Sequence, residues 1–342
     1  MKPRRLRLAV VATASCGGCE LALLNVGEPF FALAEGLDVV FAPFLADARL
    51  DALKALPDRS VDLCLLNGAI RSTGDREMAS LLRRKSRILV AFGSCAHEGC
   101  IPGLANLSTP GALLDTVYLS SPATANPERV LPSRSSTVPG GELALPVLLN
   151  SVLSLGQVER VDYVIPGCPP EPHQVGPALA WLVAALRGEE PLPPGGATLG
   201  AGRTSVCEEC PLPRSEPRVT RFYRPHEKVP EGGSCLLDQG FVCSGPATRD
   251  GCGALCPRVG MGCRGCYGPT EGISDPGAQM VGALASVLRA GAAGLADPSE
   301  QGEAALRGDL RRAAESVVDP AGTLYRHSLA HAPLLHPAPE VR

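Results

Sequence analysis

The stretch LRLAVVATASCGGCE, residues 6–20, decides how the first half of the chain is organised. Its first seven residues are apolar apart from Arg7 and include two β-branched valines, the composition of a buried strand. The strand runs into a loop holding two thiols, Cys16 and Cys19, and an apolar segment with helical spacing follows over 18–34. Strand, loop and helix together read as the opening unit of an α/β sheet. In such sheets ligands collect outside the carboxyl ends of the strands. Two thiols three residues apart fit a redox disulfide, which needs only these two. They equally fit half of a zinc site or a 4Fe–4S cluster, each of which takes four ligands.

The same pattern recurs downstream. Further strands are expected at 37–44 (LDVVFAPF), 61–67 (VDLCLLN), 87–92 (RILVAF) and 161–165 (VDYVI), with helices at 48–57, 74–85, 142–156 and 174–187. Strands alternating with helices predict a parallel sheet covered on both faces. Five such strands predict a flavodoxin-like doubly wound domain, with the strand order left open. Residues 119–141 are rich in Ser and Pro and read as a long excursion, and 188–203 read as a linker. From 204 to 270 the periodicity collapses, yet eight cysteines lie there; helices are expected again at 276–294 and 300–317, before a Pro- and His-containing tail. The expected organisation is a flavodoxin-like domain over 1–190 and a loop-rich domain with little regular structure, plus terminal helices, over 191–342.

Composition narrows the function classes. The 342 residues are 45% hydrophobic, enough for a sizeable core, and the 38 Gly and 33 Pro leave much of the chain to turns. A net charge of −3 and 4% aromatics give no basic stripe with stacking rings, which argues against nucleic-acid binding. No apolar run approaches the 18 or so residues of a membrane span. Fourteen cysteines imply disulfides in a secreted protein and metal in a cytosolic one. The start MKPRRLRLAVVATASC has an apolar core of only seven residues, Leu8–Ala14, at the lower limit for a signal peptide. A basic start followed by a buried strand, in a cytoplasmic protein, is therefore expected.

Three of the expected strands end in cysteine-bearing, glycine-containing loops. The first supplies Cys16 and Cys19, the fourth supplies Cys95 in FGSCAHEGC, and the fifth supplies Cys168 in IPGCPPEP. These four thiols should meet at one edge of one sheet, as a 4Fe–4S cluster requires, and the glycines allow the backbone close to an inorganic core. Cys95 is preferred over Cys100, its competitor in the same loop, because it directly follows Gly93-Ser94. Cys64 sits inside an apolar strand and reads as core. The second half holds Cys207, Cys210, Cys235, Cys243, Cys252, Cys256, Cys263 and Cys266, enough for two further clusters, with structural zinc as the competing use. Glu20 opens a helix, where the dipole favours a carboxylate, and is also placed to face a partner. His97 and Glu98 read as a solvated loop pair and His226 as surface.

SCGGCE, GSCAHEGCIPGLAN and GCPPEP resemble the three proximal-cluster loops of the small subunit of NiFe hydrogenases. The second half, from CLLDQGFVC through GPATRDGCGALCPRVGMGCRGCYGPTEG, resembles the cytoplasmic branch of that family. The likeness is strongest to the methyl-viologen-reducing hydrogenases coupled to heterodisulfide reductase, with the sulfhydrogenase delta subunit a near relative. It covers roughly residues 6–290 and extends to TLYRHSLA near the end. The resemblance implies an electron-transfer subunit with three 4Fe–4S clusters and no catalytic residue of its own. Cys16, Cys19, Cys95 and Cys168 would hold the proximal cluster. Cys207, Cys210, Cys235 and Cys243 would hold the distal one, and Cys252, Cys256, Cys263 and Cys266 the medial one. The NiFe site would lie in a separate large subunit, and electrons would pass on to a further acceptor subunit, 2Fe–2S-bearing or linked to heterodisulfide reductase. A redox relay of the complex I type is the alternative, and a zinc-binding assembly module without redox activity is the alternative of another class.

Overall fold

The computed structural model describes residues 4–217, 219–288 and 300–332, with the side chains of 300–302 outside that description. The chain divides into two compact units: one runs to Leu199 and takes in Leu329–His331, and the other is Gly200–Ser328 with the chain from Ala332.

The first unit is built on strands β1 (Leu6–Ala12), β2 (Leu37–Phe41), β3 (Val61–Asn67), β4 (Ile70–Ser72), β5 (Ser86–Phe92), β6 (Ser135–Val138), β7 (Gly141–Ala144), β8 (Leu148–Leu153) and β9 (Tyr163–Ile165). Five of them form a wholly parallel sheet in the order β2-β1-β3-β5-β9. Numbered among themselves, these strands run 2-1-3-4-5, the flavodoxin-like order. Helices α1 (Gly18–Leu24), α2 (Glu28–Ala34), α3 (Leu50–Ala55), α4 (Thr73–Lys85), α5 (Ser94–Glu98), α6 (Pro110–Asp115) and α7 (Pro172–Arg187) accompany them.

Period-two alternation sorts the core. Leu8, Val10, Leu63, Leu65, Val90 and Phe92 pack with Leu23, Phe30 and Leu182 of α1, α2 and α7. Ala9, Val11, Cys64, Leu66, Leu89 and Ala91 pack on the opposite face with Leu53 and Leu82 of α3 and α4. A strand buried on both faces has no polar side to show, which is why VDLCLLN is almost continuously apolar. Its one carboxylate, Asp62, is buried, takes Arg4 at 2.6 Å and Arg87 at 3.2 Å, and accepts the Arg7 N–H at 2.9 Å. Charge is thus paired at the amino ends of the strands, leaving the carboxyl ends for the thiol loops.

Two expectations for this unit change. The helical pattern over 18–34 forms two helices, broken where Gly27 takes a φ of +71°, with Pro29 in the first turn of the second. The helix expected at 142–156 is not formed: β7 ends at Ala144, and β8 pairs antiparallel with β4. Pro146 interrupts the helical ladder, and Asn106 fixes Val152 by accepting its N–H at 2.7 Å and donating to its carbonyl at 3.0 Å. Tertiary pairing therefore overrides the apolar spacing. The Ser- and Pro-rich excursion carries the β6–β7 hairpin, all eight of whose strand residues are exposed.

The second unit has no β-strand among its described residues, only isolated bridges such as Ser205 with Arg249 and Tyr223 with Phe241. Its longer helices are Pro276–Val287 and Glu300–Glu315; of the helix expected at 276–294, Leu288 lies beyond the helix end and 289–294 lie outside the described residues. Although the periodicity collapses here, the unit has a core of its own. Val206, Phe222, Leu237, Met280, Leu284 and Val287 form a small apolar centre with Cys243 and Cys263 within it. The core is hidden in the sequence because its members are single residues on loops, joined by no period.

Candidate metal centres

In the first unit three loops bring four thiols together. Cys16 and Cys19 flank the start of α1, Cys95 lies in the first turn of α5 after β5, and Cys168 follows β9. The Cys19 pKa is raised, first by burial and then by Cys95, Cys168 and Cys16, so all four sulfurs share one neighbourhood. The β5 and β9 loops are tied to each other: Gly93 N–H donates to the Ile165 carbonyl at 2.7 Å, and Ser94 N–H donates to the Gly167 carbonyl at 2.8 Å. Gly93, at φ +84°, has Cys19 against it; a Cβ there would lie 2.3 Å from the Cys19 sulfur. Only glycine allows that approach.

The sequence sets Cys100 aside, yet the fold places it in the same group. It is fully buried, with its pKa raised by hydrogen bonds with Cys168 and Cys95 and then by burial. Its contact is in turn the main influence lowering the pKa of Cys95. The five-residue spacing from Cys95 is the signal that could have found it. Cys64 lies in mid-strand at 0% exposure, and burial pushes its pKa up to about 12. Glu98 is not solvated as expected: the segment forms α5, whose inner side buries Ser94, Ala96 and Glu98, while His97 stays half-buried. Glu20 is also buried, its carboxylate 3.5 Å from where a Gly17 Cβ would stand. His226 is exposed.

In the second unit Cys207, Cys210, Cys235 and Cys243 line one pocket, closed by Val206, Leu236, Leu237 and Pro246. Burial pushes the Cys207 pKa up to about 11, with Cys243, Cys235 and Cys210 adding to it. A Cβ on Gly245 would stand 3.2 Å from the Cys207 sulfur and 3.6 Å from that of Cys243, filling the space between them. Of the other four thiols, Cys263 is raised first by burial and also feels Cys266 and Cys243. Cys256 sits in the short helix Leu255–Arg258. Cys252 faces Glu209, whose carboxylate accepts the N–H groups of Gly251 and Ala254, each at 3.1 Å. Sequence reasoning misses Glu209 because nothing in CEEC shows where its side chain turns. Cys263 N–H donates to the Cys243 sulfur at 3.2 Å, interlocking the two sets.

The donor chemistry fits iron–sulfur clusters. Thiols gathered in groups of four are the donor set such a cluster takes, and metal binding releases their protons. Backbone N–H groups of Gly245, Leu255 and Gly265 reach the sulfurs of Cys243, Cys252 and Cys263 respectively, where they would offset cluster charge.

Residues 16–182, which hold the sheet and its thiol loops, match the family described as the NADH ubiquinone oxidoreductase 20 kDa subunit. The iron–sulfur subunit of the F420-non-reducing hydrogenase of Archaeoglobus profundus is 38% identical over 289 residues, 83% of this chain and 88% of that one. The delta subunit of sulfhydrogenase 2 of Pyrococcus furiosus is 27% identical, over 80% of this chain and 90% of its own. A [NiFeSe]-hydrogenase structure from Dm. baculatum superposes with a TM-score of 0.50 at 17% identity, over 79% of this chain and 96% of that one, and shares the fold. The chain belongs to the hydrogenase small-subunit family, alongside the iron–sulfur subunits of the F420-non-reducing hydrogenases. No helix among the described residues is long and apolar enough to cross a membrane.

Proposed function

We propose that this chain is the electron-transfer subunit of a cytoplasmic NiFe hydrogenase, relaying electrons through three 4Fe–4S clusters. The observation that carries the proposal is the meeting of Cys16, Cys19, Cys95 and Cys168 from three separate strand-end loops. In this reading they hold the proximal cluster, facing the NiFe site of a separate large subunit. Cys207, Cys210, Cys235 and Cys243, which line one pocket, hold the distal cluster. Cys252, Cys256, Cys263 and Cys266 hold the medial one, joining the Cys252 loop to the Cys263–Cys266 pair.

When bound, the clusters supply one-electron redox chemistry, with potentials set by hydrogen bonds, charge and exposure. The chain's own contribution is to hold the sulfurs, exclude water and donate backbone N–H groups to them. The Gly17-Gly18 backbone, with Cys16 exposed and Glu20 tucked beside it, forms the face offered to the large subunit. A further acceptor subunit takes the electrons onward. The domain carrying the proximal cluster is the sheet unit, and the two remaining clusters belong to the loop-rich unit.

Iron and acid-labile sulfide analysis of the anaerobically purified chain tests this directly. About twelve iron and as many sulfide per chain are expected for three 4Fe–4S clusters. Zinc without sulfide would instead make the chain an assembly module. Copurification with a nickel-containing partner and hydrogen-dependent viologen reduction are expected for a hydrogenase and not for a relay of the complex I type.

A further inference from the structure

We propose that Leu329–His331 is a clasp for the proximal site, with Ala330 and Gln157 as positioning residues that set where Cys95 stands. The role at the site rests on the reading of Cys95 as a cluster ligand. These three residues belong to the sheet unit, although the chain on either side of them belongs to the other. They form a single 3-10 turn in which Leu329 and Ala330 are buried.

The contact is a peg in a slot. Cys95 lies in the first turn of α5, and Gly99 and Gly103 follow on the way out of that helix. Gly99 N–H donates to the Cys95 carbonyl at 3.0 Å, and Gly103 N–H donates to the Gly99 carbonyl at 3.0 Å. The Ala330 methyl fills the space where both glycines lack a side chain: a Cβ on Gly103 would lie 2.8 Å from it, and one on Gly99 closer still. Ala330 is 0% exposed, so a larger side chain there must displace the turn.

Gln157 hooks the clasp from the other side. Its Oε1 accepts the Ser154 N–H at 2.7 Å, and its Nε2 donates to the Ala330 carbonyl at 3.0 Å. Ser154 directly follows β8, whose Val152 is bound through both backbone groups to Asn106, three residues beyond Gly103. At the front of α5, Ser94 N–H is tied to the Gly167 carbonyl at 2.8 Å. A helix of five residues does not hold its own shape in water, so α5 takes its position from these ties. Loosening the clasp should open the turn behind Cys95 locally, without removing a ligand.

Hydrogen exchange and anaerobic iron chelation of the holo-protein test the assignment, with electron paramagnetic resonance showing which cluster is lost. Gln157→Glu keeps the acceptor for Ser154 and removes the donor to Ala330, while Ala330→Leu overfills the slot. In both, the Gly99 and Gly103 amides should exchange faster while β5 keeps its protection. About one third of the iron should leave faster, on the order of tenfold for Gln157→Glu, and the rest at the wild-type rate. Should Ala330→Leu fail to fold, Gln157→Glu carries the test alone. The assignment is overturned if both amides exchange as in the wild type, or if the turn opens and every cluster still loses iron at the wild-type rate. A uniform rise in iron release overturns it too, since the clasp touches one site. Wild-type protein lacking iron and sulfide would instead refute the cluster reading, and exchange at the two amides would still test the clasp.

Discussion

The two units use cysteine in opposite ways. In the sheet unit the core is built by leucines, valines and Phe92 on both faces; of the four thiols Cys19 alone joins it, and the other three stand outside at the strand ends. In the loop-rich unit Cys243 and Cys263 belong to the apolar core, and Cys210, Cys235 and Cys252 pack against it. With no sheet among its described residues, that unit has little else to organise residues 204–270. The first unit is a scaffold onto which a site is placed. The second is a fold for which the site supplies much of the reason to be compact, as in small metallo-domains.

Removing the metal should therefore separate the two most sharply. Anaerobic chelation of iron is expected to abolish hydrogen-exchange protection along Pro276–Val287, while β3 and β5 stay protected. The lost ligation amounts to on the order of 10 kcal/mol if structural zinc sites are a guide. Equal loss of protection in both units would break the contrast. Next in size is Cys168→Ala. It should cost about four of some twelve irons and stop electron flow, yet leave the second unit's spectra intact. Spectra unchanged throughout would show that the strand-end ligand set is wrong.

The contrast also explains what can be read from the sequence. Strands β1 and β3 are legible to the residue because a strand buried on both faces is an uninterrupted apolar run between turn residues. The thiol loops are legible because a parallel sheet sends all its carboxyl ends to one edge, so Cys16, Cys95 and Cys168 have to share it. The segment 142–156 misleads because the apolar spacing of Leu148, Leu149, Val152 and Leu153 suits a helix, and the Asn106 clamp that selects the strand lies over forty residues away. Glu98 misleads because a loop between two cysteines gives no sign that it forms a helical turn with a buried side. In the second unit no periodicity exists to read. Cysteine spacing alone is visible there, and neither Glu209 nor the amide of Cys263 announces its partner.

Glu209→Ala sharpens the comparison at intermediate size. The substitution strips Gly251 and Ala254 of a charged acceptor, costing about 1–3 kcal/mol in the second unit. Glu209→Gln keeps one carbonyl acceptor and should cost less. Thermal unfolding of the holo-protein should show the second unit melting earlier while the sheet unit's transition stays put. A shift of the sheet transition instead would mean that the Glu209 contacts do not act locally.

The smallest effect belongs to Cys64, and it tests whether position along a strand distinguishes a ligand from a core residue. Cys64 lies at the middle of β3, fully buried among Ala9, Leu89 and their neighbours on one face of the sheet. Cys64→Ala removes one sulfur from a packed interior, a loss of about 1 kcal/mol. The denaturant midpoint of the sheet unit should fall slightly with an unchanged m-value, since the surface exposed on unfolding is the same. Iron and sulfide should not change, because no cluster lies in mid-strand on this reading. Cys64→Ser should also keep the full cluster count while destabilising further, since it buries a stronger hydrogen-bonding group in apolar surroundings. Cys168→Ala should do the reverse, losing iron while the sheet keeps its midpoint. A drop of about four irons in either Cys64 variant would mean that a mid-strand thiol can ligate, and the division between strand-middle and strand-end cysteines would fall.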